Sequence, residues 1–516
     1  MSKKYLGISC GFHDAGVSVI DDEGEILFAG HSERYSKKKH DKNLCPAIID
    51  EALSYVGKDE LDCVHYYERP FLKAIRQWRA GQTIGPFSFR KIFGRTVYNI
   101  LLNKVAEVWL WKLSSDGSYG TANNLVTTHT HHKCHAAAGF QTSPYDEATV
   151  VVIDAIGEVD CATIWNAYYD KKGNAKYKKL WTLRYPNSIG LFYSAMTKRL
   201  GLRPLDEEYI LMGMAAYGEP KYMKELEDKF GAHRESLEFN QNNHIGVEDD
   251  FLEGANEFDI AASTQRYVEK LIQLVMNKAR IKGKSGNLVY GGGVALNCSA
   301  NRLLGKYFNN IWIMPNPGDA GNSLGAAALG YGKKVKWHHA FLGKDIVGTY
   351  PIWSVVTALH EDKIVGVASG RAEFGPRALG TRSLLADPRG PEIKDKVNKI
   401  KKRQEFRPFA PMILEELVDE YFDMPTKWKN SPYMQVTAKC RFPDKFPAIV
   451  HADGTSRVQT IPKDNTGIRR LLEAWHQETG CPILLNTSLN IRGEPMVNDR
   501  SDADRFEKLY GVRVIS

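Results

Sequence analysis

Apolar and polar positions alternate from the first residues onward. Tyr5–Ser9 reads as a strand, followed by the loop Gly11-Phe12-His13-Asp14-Ala15-Gly16. Val17–Ile20, the turn Asp21-Asp22-Glu23-Gly24 and Glu25–Ala29 then predict a hairpin. The plan returns later in the chain. Ala148–Ile153 is an unbroken apolar run, as expected of a strand buried on both faces, and it ends at Asp154. Ala162–Tyr169, the turn at 170–174 and Lys176–Leu183 complete a second hairpin. Two strand–acidic loop–hairpin units predict an internal duplication.

Helical patterns dominate from roughly 190 to 285. Leu288–Tyr290 then enters Gly291-Gly292-Gly293, and Ile311–Met314 enters the loop containing Gly318-Asp319-Ala320-Gly321. In both, glycines follow a strand and open a helix, which leaves backbone N–H groups free for phosphate. One such loop is a common tight turn; two in succession, one carrying an acid, favour a nucleotide site. With the duplication, this is the logic of an actin-like, ribonuclease-H-like α/β fold, in which two half-domains hold a nucleotide between them. The charged, irregular stretch Lys333–His339 places a boundary near 335–352. Pro351 precedes a fresh helix and Ile364–Ala368 a strand, and the remaining 165 or so residues suffice for a second α/β domain.

The length of 516 residues fits about two to four domains. A hydrophobic fraction of 43% and a charged fraction of 25% are those of an ordinary globular chain, and no apolar run spans a bilayer. Met1–Gly7 runs straight into a strand pattern with no signal-peptide core. The eight cysteines form no Cys-x-x-Cys pair, so reduced thiols and a cytoplasmic location are expected. The net charge of +8 is compatible with an anionic substrate or nucleic acid. Much of it lies in Phe71–Lys112, where Arg76, Arg79, Arg90, Lys91, Arg95 and Lys104 face a single acid, Glu107. Aromatics interleaved with these cations can stack bases while the cations meet phosphates. The alternative is an amphipathic helical insertion with solvated cations.

His131-His132-Lys133-Cys134-His135 puts imidazoles at i and i+4, stacked on one helix face in the geometry that holds a divalent metal. Such a pair can also sit on a wet surface. The loops at 11–16, 154–158 and 318–321 supply acidic partners and point to a metal-dependent phosphate or nucleotide enzyme. A second centre concentrates cations beside turn residues: Arg371, Arg377 and Arg382 around Gly375-Pro376, and Lys399, Lys401, Lys402, Arg403 and Arg407 before Pro408-Phe409. Guanidinium forks and ammonium groups there fit a polyanion. His451–Thr460 and Leu485–Asn490 add hydroxyls and amides at strand ends.

These motifs resemble, in order and over nearly the whole chain, the O-carbamoyltransferase family of nodulation-factor, cephalosporin and aminoglycoside carbamoyltransferases. The match includes the His131–Ala136 motif, Met212–Gly218, Gly292–Asn297, Gly318–Gly321, Glu373–Gly380, Phe406–Pro411 and Asn486–Pro495. The resemblance implies an actin-like (ASKHA) domain over 1–340, like the tRNA-threonylcarbamoylation protein, carrying the basic insertion at about 70–115. It implies a YrdC-like carbamoyl-adenylate-forming domain over 350–516. ATP, with Mg, and carbamoyl phosphate would give carbamoyl-adenylate in the second domain, and the carbamoyl group would move to a hydroxyl in the first. By motif, iron(II) or another divalent metal would be held by His131, His135, Asp154 and Asp319, and His13 would be the general base. Gly292, Gly293, Asn297 and Asn322 would contact the adenylate. Arg377, Lys401, Arg407, Arg457, Thr487, Ser488 and Asn490 would bind carbamoyl phosphate and ATP. A buried channel between the two sites is expected, because a mixed anhydride hydrolyses in water.

The chain departs from the family at Asp154-Ala155, where relatives more often carry glycine, and it is somewhat shorter. The acceptor favoured by the charge is a 5-hydroxymethyl-pyrimidine, 5-hydroxymethylcytosine, in DNA or as a nucleotide. The alternatives are a sugar or antibiotic hydroxyl, threonylcarbamoyl transfer to tRNA, and a non-enzymatic actin-like regulator. No membrane partner is expected; a homodimer is compatible with the chain.

Overall fold

The computed structural model describes residues 3–56, 61–80, 126–231, 236–407, 409–463 and 466–516. Strands β1 (Lys4–Ser9), β2 (Gly16–Asp21), β3 (Ile26–His31), β4 (Leu61–Tyr66) and β5 (Val126–Thr128) form a sheet of order β3-β2-β1-β4-β5. The hairpin strands are antiparallel, and β4 and β5 run parallel to β1. Strands β6 (Glu147–Ile153), β7 (Asp160–Tyr169), β8 (Ala175–Arg184), β9 (Asn287–Gly291) and β10 (Asn310–Trp312) repeat the arrangement as β10-β9-β6-β7-β8. Here β6 takes the place of β1. The expected duplication is therefore present in strand order and direction. The apolar run ending at Ile153 is buried on both faces because β6 is the central strand, flanked by β9 and β7.

Two helices lie between the sheets. α1 (His131–Thr142) rests on β6 and β9, α5 (Asn322–Tyr331) rests on β1 and β2, and the two pack on each other. Small residues make this approach possible. A Cβ on Gly325 would lie 2.0 Å from the Cys134 carbonyl oxygen, and one on Gly7 would lie 1.9 Å from that of Ser323. Both helices begin at the same end of the molecule, where β6 also ends. The helical region consists of α2 (Ile189–Arg199), α3 (Glu208–Met214) and the long α4 (Glu257–Lys282), which pack against the second sheet. The Asn256 side chain caps α4 by accepting from the N–H groups of Phe258 and Asp259.

The C-terminal unit begins with β11 (Phe341–Ile346). Its six-stranded mixed sheet joins β12 (Ile364–Ala368), β14 (Arg382–Ala386), β15 (Ala410–Leu414), β19 (Gln459–Ile461), β20 (Ile483–Ser488) and β21 (Val514–Ile515) in the order β19-β15-β20-β14-β12-β21. β11 pairs with β13 (Gly370–Glu373), and β16 (Phe422–Asp423), β17 (Thr437–Cys440) and β18 (Thr455–Arg457) make a small third sheet. Period-two alternation splits the core. Val365 and Val367 face α6 (Ile352–Asp362) and α8 (Thr466–Thr479). Ile364 and Ala368 face α7 (Ile393–Lys401) and α9 (Arg500–Tyr510).

The two units meet over a polar seam. Arg34 donates to the Gly375 carbonyl (2.9 Å), Arg492 pairs with Glu207 (2.6 Å), and the Trp428 indole donates to the Asn301 carbonyl (3.1 Å). Among the described residues, no helix is long and apolar enough to cross a membrane. Of the basic stretch, Arg76 is buried, donating to the Gly157 carbonyl at 3.1 Å and lying over the Tyr185 ring. The side chains of Arg79, Arg90, Lys91, Arg95 and Lys104 lie outside the described residues, and so does the expectation that this stretch meets nucleic acid.

Candidate functional site

The site forms where α1, α5 and β6 converge. No side chain caps α1 at Thr130; instead the Glu158 carboxylate accepts the His131 N–H at 3.0 and 3.2 Å. That places an anion at a helix N-terminus, where the dipole favours it. The first turn of α1 then aims His131 and His135 at one point, with their Nε2 atoms 3.0 Å apart. His132 turns away to Thr163 (3.0 Å). Asp154, at the end of β6, lies 3.0 Å from His131 and 3.6 Å from His135. Asp319 lies 3.3 and 3.5 Å from the same two nitrogens.

All four donor atoms fall within 4.8 Å of one another. Ligands about 2.1 Å from one ion are separated by about 3.0 Å at right angles and about 3.4 Å in a tetrahedron, so these spacings fit a single cation. Charge balance agrees. Burial opposes protonation of His131 and His135, but the carboxylates of Asp319 and Asp154 outweigh it and raise both imidazoles. Two buried carboxylates leave two negative charges at the site, which one divalent ion would balance without protonating a ligand. Gly292 has a positive φ of 88°, and a Cβ there would lie 2.2 Å from the Ile153 carbonyl oxygen, so only glycine lets the loop pass this close to β6. That approach allows the Gly293 N–H to donate to Asp154 Oδ1 at 2.9 Å.

The metal-ligand set opens into a cavity of about 390 Å³, within the range of small-ligand pockets. Asp154, Asp319 and Gly293 line one end; Arg377, Lys401, Arg403 and Arg407 line the other. Met212, Val268 and Leu296 form an apolar stretch of its wall. Among the described residues, Arg377, Lys401, Arg407 and Arg457 make no ion pair with a carboxylate. Burial, with Arg457 and Arg407 close by, pushes the Arg377 guanidinium down to about 9. Burial beside Arg403 and Arg407 holds the Lys401 ammonium well below the usual lysine range. Lys401 donates to the Ser488 carbonyl (2.5 Å), Ser488 Oγ (3.0 Å) and Asn490 Oδ1 (2.6 Å), which fixes the loop after β20. An anion is the partner that Arg377, Lys401, Arg407 and Arg457 lack among the described residues.

His13 stands on the wall near the metal-ligand set, joined to Asp14, the acid of the 11–16 loop, which pairs here with His13 and His40 rather than with His131 and His135; His40 is the residue that sequence reasoning missed. The Nδ1 of His13 meets Asp14 (2.9 Å) and its Nε2 the Leu205 carbonyl (2.7 Å). His40 meets the other Asp14 oxygen (2.9 Å) and Asp206 (2.8 Å). Burial lowers both imidazoles, but Asp14 wins, and they rise to about 9 for His13 and about 10 for His40. His13 is therefore an imidazolium at neutral pH, with both nitrogens donating.

Other expected residues fall differently. Asn297 lines the cavity but is engaged, capping the helix Cys298–Asn301 and pairing with Gln265 at 3.0 and 3.1 Å. Asn322 is fully buried against His135 rather than on the wall. Ser488 and Asn490 line the cavity; Thr487 and Arg457 stand behind it. Arg403, one of the cations noted before Pro408, lines it, and so does Arg492, which was not singled out although it lies in the Asn486–Pro495 motif.

A carbamoyltransferase N-terminal family model matches residues 4–328, and a carbamoyltransferase C-terminal one matches 356–515. An uncharacterized protein of Synechocystis sp. is 32% identical over 97% of this chain and 93% of its own length. The nodulation protein NolNO of Sinorhizobium fredii is 29% identical over 95% of this chain and 76% of its own. Among solved structures, component A of the (R)-2-hydroxyglutaryl-CoA dehydratase of Acidaminococcus fermentans covers 64% of this chain and 98% of its own, with 15% identity and a TM-score of 0.35. The two matched segments together span most of the chain, and on that ground it belongs to the carbamoyltransferase family of enzymes.

Proposed function

We propose that this carbamoyltransferase makes carbamoyl-adenylate from ATP and carbamoyl phosphate at the cationic end of the cavity: water releases phosphate from carbamoyl phosphate, and the carbamate oxygen bonds to the α-phosphorus of ATP as pyrophosphate leaves. It then transfers the carbamoyl group to a primary hydroxyl at the metal-ligand end. The observation that carries this reading is the single cavity reaching from Asp154 and Asp319 to Arg377, Lys401, Arg403 and Arg407. A reactive anhydride formed at one end would reach the other without leaving the cavity. The C-terminal unit is read as YrdC-like and the duplicated unit as actin-like.

Each end has a distinct task. Arg377, Lys401 and Arg407 offset phosphate charge during adenylation, with Ser488 and Asn490 orienting the group. Gly292, Gly293 and Asn297 flank the adenylate on the other side. A divalent ion such as iron(II), held by His131, His135, Asp154 and Asp319, would supply Lewis acidity toward the carbamoyl carbonyl. In the transfer, the acceptor oxygen bonds to the carbamoyl carbon, the carbon–oxygen bond to AMP breaks, and the hydroxyl proton goes to Nε2 of His13 in its neutral form, once that nitrogen has lost its proton and left the Leu205 carbonyl.

The acceptor end carries no surplus of cations. Asp14, Glu33, Asp206 and Glu208 line it beside His13, His40 and Lys39. That balance suits a neutral hydroxyl-bearing group and fits either of two acceptors. A flipped hydroxymethyl-pyrimidine base is neutral and leaves its phosphates outside the cavity, where the net charge of +8 favours them. A sugar or antibiotic alcohol is the second reading, favoured by the carboxylates on the wall.

Mass spectrometry separates them. Reactions would hold ATP, carbamoyl phosphate, iron(II) and either DNA bearing 5-hydroxymethylcytosine or a panel of hydroxymethyl sugars and antibiotics. A carbamoyl mass gain on the base, falling steeply with salt, supports the DNA reading. A gain on a small alcohol alone, with little salt dependence, removes it. No carbamoyl-adenylate and no AMP release with any acceptor would overturn the mechanism.

A further inference from the structure

Asn322 is the first residue of α5 and is 0% exposed. Its Nδ2 lies 3.0 Å from His135 Nε2, the nitrogen that faces Asp154 and Asp319. Its Oδ1 has no hydrogen-bond partner among the described residues. A buried amide oxygen without a partner costs on the order of 1–3 kcal/mol.

The arrangement is consistent only while His135 Nε2 can accept a hydrogen bond from the amide N–H. A metal removes that option. An imidazole nitrogen bound to a cation has its lone pair in the metal bond and carries no hydrogen, so an amide N–H pointing at it finds no acceptor. The two ends of an amide group are nearly isosteric, and their assignment follows the surrounding hydrogen bonds. Turned by half a rotation about its terminal bond, Asn322 places its carbonyl oxygen beside His135 Nε2, where the amide nitrogen now lies at 3.0 Å, and so next to the group formed by His131, His135, Asp154 and Asp319. That single change supplies the missing partner for Oδ1 and removes the N–H from the ligated nitrogen.

We infer that Asn322 is a fifth protein ligand of the metal, binding through Oδ1, rather than a contact to the adenylate. The assignment rests on the metal reading given above. Carbonyl oxygens are hard donors suited to divalent iron, manganese or cobalt, and five protein donors leave one position of an octahedron for a single substrate oxygen. α5 itself is fixed against its neighbours. Its first residue is held there by the Gly325 and Gly7 contacts that clamp α5 between α1 and β1. Asn322 therefore cannot withdraw without disturbing the helix.

The test is cobalt(II) binding to the full chain, freed of metal by chelation. Affinity would be read by competition with a chromophoric chelator and coordination number by the visible d–d bands. The chains compared would be the parent, N322A, N322D and the H131A/H135A double variant, each checked for folding by thermal melting without metal. The parent is expected to bind one equivalent with weak bands and the double variant none. N322A is expected to bind about ten- to a hundredfold more weakly, with bands intensified as coordination falls. N322D, which keeps an oxygen in place, is expected to retain the parent's affinity and weak bands. N322A matching the parent in both readouts would overturn the assignment. So would N322D binding as poorly as N322A, because the amide nitrogen would then be the group that matters. A parent chain that binds no cobalt would overturn the metal site itself. Loss in N322A alone, beside a binding parent, concerns Asn322 only.

Discussion

The first question for a single residue is the protonation state of His13. Asp14 accepts from it and from His40, and His13 rises to about 9. A base must be neutral to accept a proton, and the neutral fraction of His13 grows as pH rises through that value. kcat/KM is therefore expected to climb from neutral pH toward about 9. In D14N the carboxylate that raises His13 is gone, so the rising limb should move down toward the ordinary value of 6.5. A flat profile in the parent, or a limb that stays put in D14N, would remove His13 from the role of base. The His131/His135 pair was legible because helical spacing alone puts i and i+4 on one face. Asp14 with His40 was not legible. Their contact joins residues 26 apart through a loop whose path no local pattern dictates.

Among elements, the decisive contact is α1 on α5. These helices carry His131, His135 and Asn322 at their first turns, so their separation sets the size of the metal site. Gly325 allows the backbones to touch. A Cβ there would lie 2.0 Å from the Cys134 carbonyl oxygen, an approach to backbone that side-chain motion cannot relieve. G325A is expected to cost about 1–3 kcal/mol and to weaken metal binding as well, read by denaturant unfolding and by cobalt titration on the same sample. Unchanged stability with unchanged affinity would show that the helices can separate without consequence. The strands themselves were readable. The apolar run of β6 announced a strand buried on both faces, and the alternation at β1–β3 announced a hairpin. The small residues of α5 were readable only as a glycine-rich loop opening a helix. Which backbone each glycine would admit depends on a partner element some 190 residues away in sequence, as in the Gln141 contacts to Ala328 and Lys333.

At the scale of the whole molecule, the cavity exists only because the two units are held in register. Arg34, 2% exposed, reaches from just beyond β3 into the loop that carries Arg377. It donates to the Gly375 carbonyl at 2.9 Å and stands 3.8 Å from Glu373. The other Glu373 oxygen accepts the N–H groups of Leu379, Thr381 and Arg382 at 2.8, 3.0 and 3.1 Å and so shapes that loop. R34M keeps the bulk and removes the charge, leaving Glu373 buried without its counter-ion. It is expected to destabilise the fold by about 3 kcal/mol and to raise KM for carbamoyl phosphate more than it lowers kcat. Steady-state kinetics beside thermal melting would check this, and a loss of kcat with KM unchanged would argue that Arg34 does not act through the Arg377 loop.

By itself the sequence determined what local physics determines: period-two strands, the duplicated hairpin plan, histidines on one helix face and clusters of cations beside turn residues. Tertiary structure decided which of these meet. His131, Asp154 and Asp319 come from separated stretches of chain, and only the packing of α1 on α5 against β6 brings their donor atoms within 4.8 Å. The same packing turned Asn322 from a presumed wall residue into a neighbour of His135. It also joined a metal-ligand end and a cationic end into one cavity. Distances between remote segments are sums over many close-packed contacts, and no pattern within a few residues of either segment encodes such a sum.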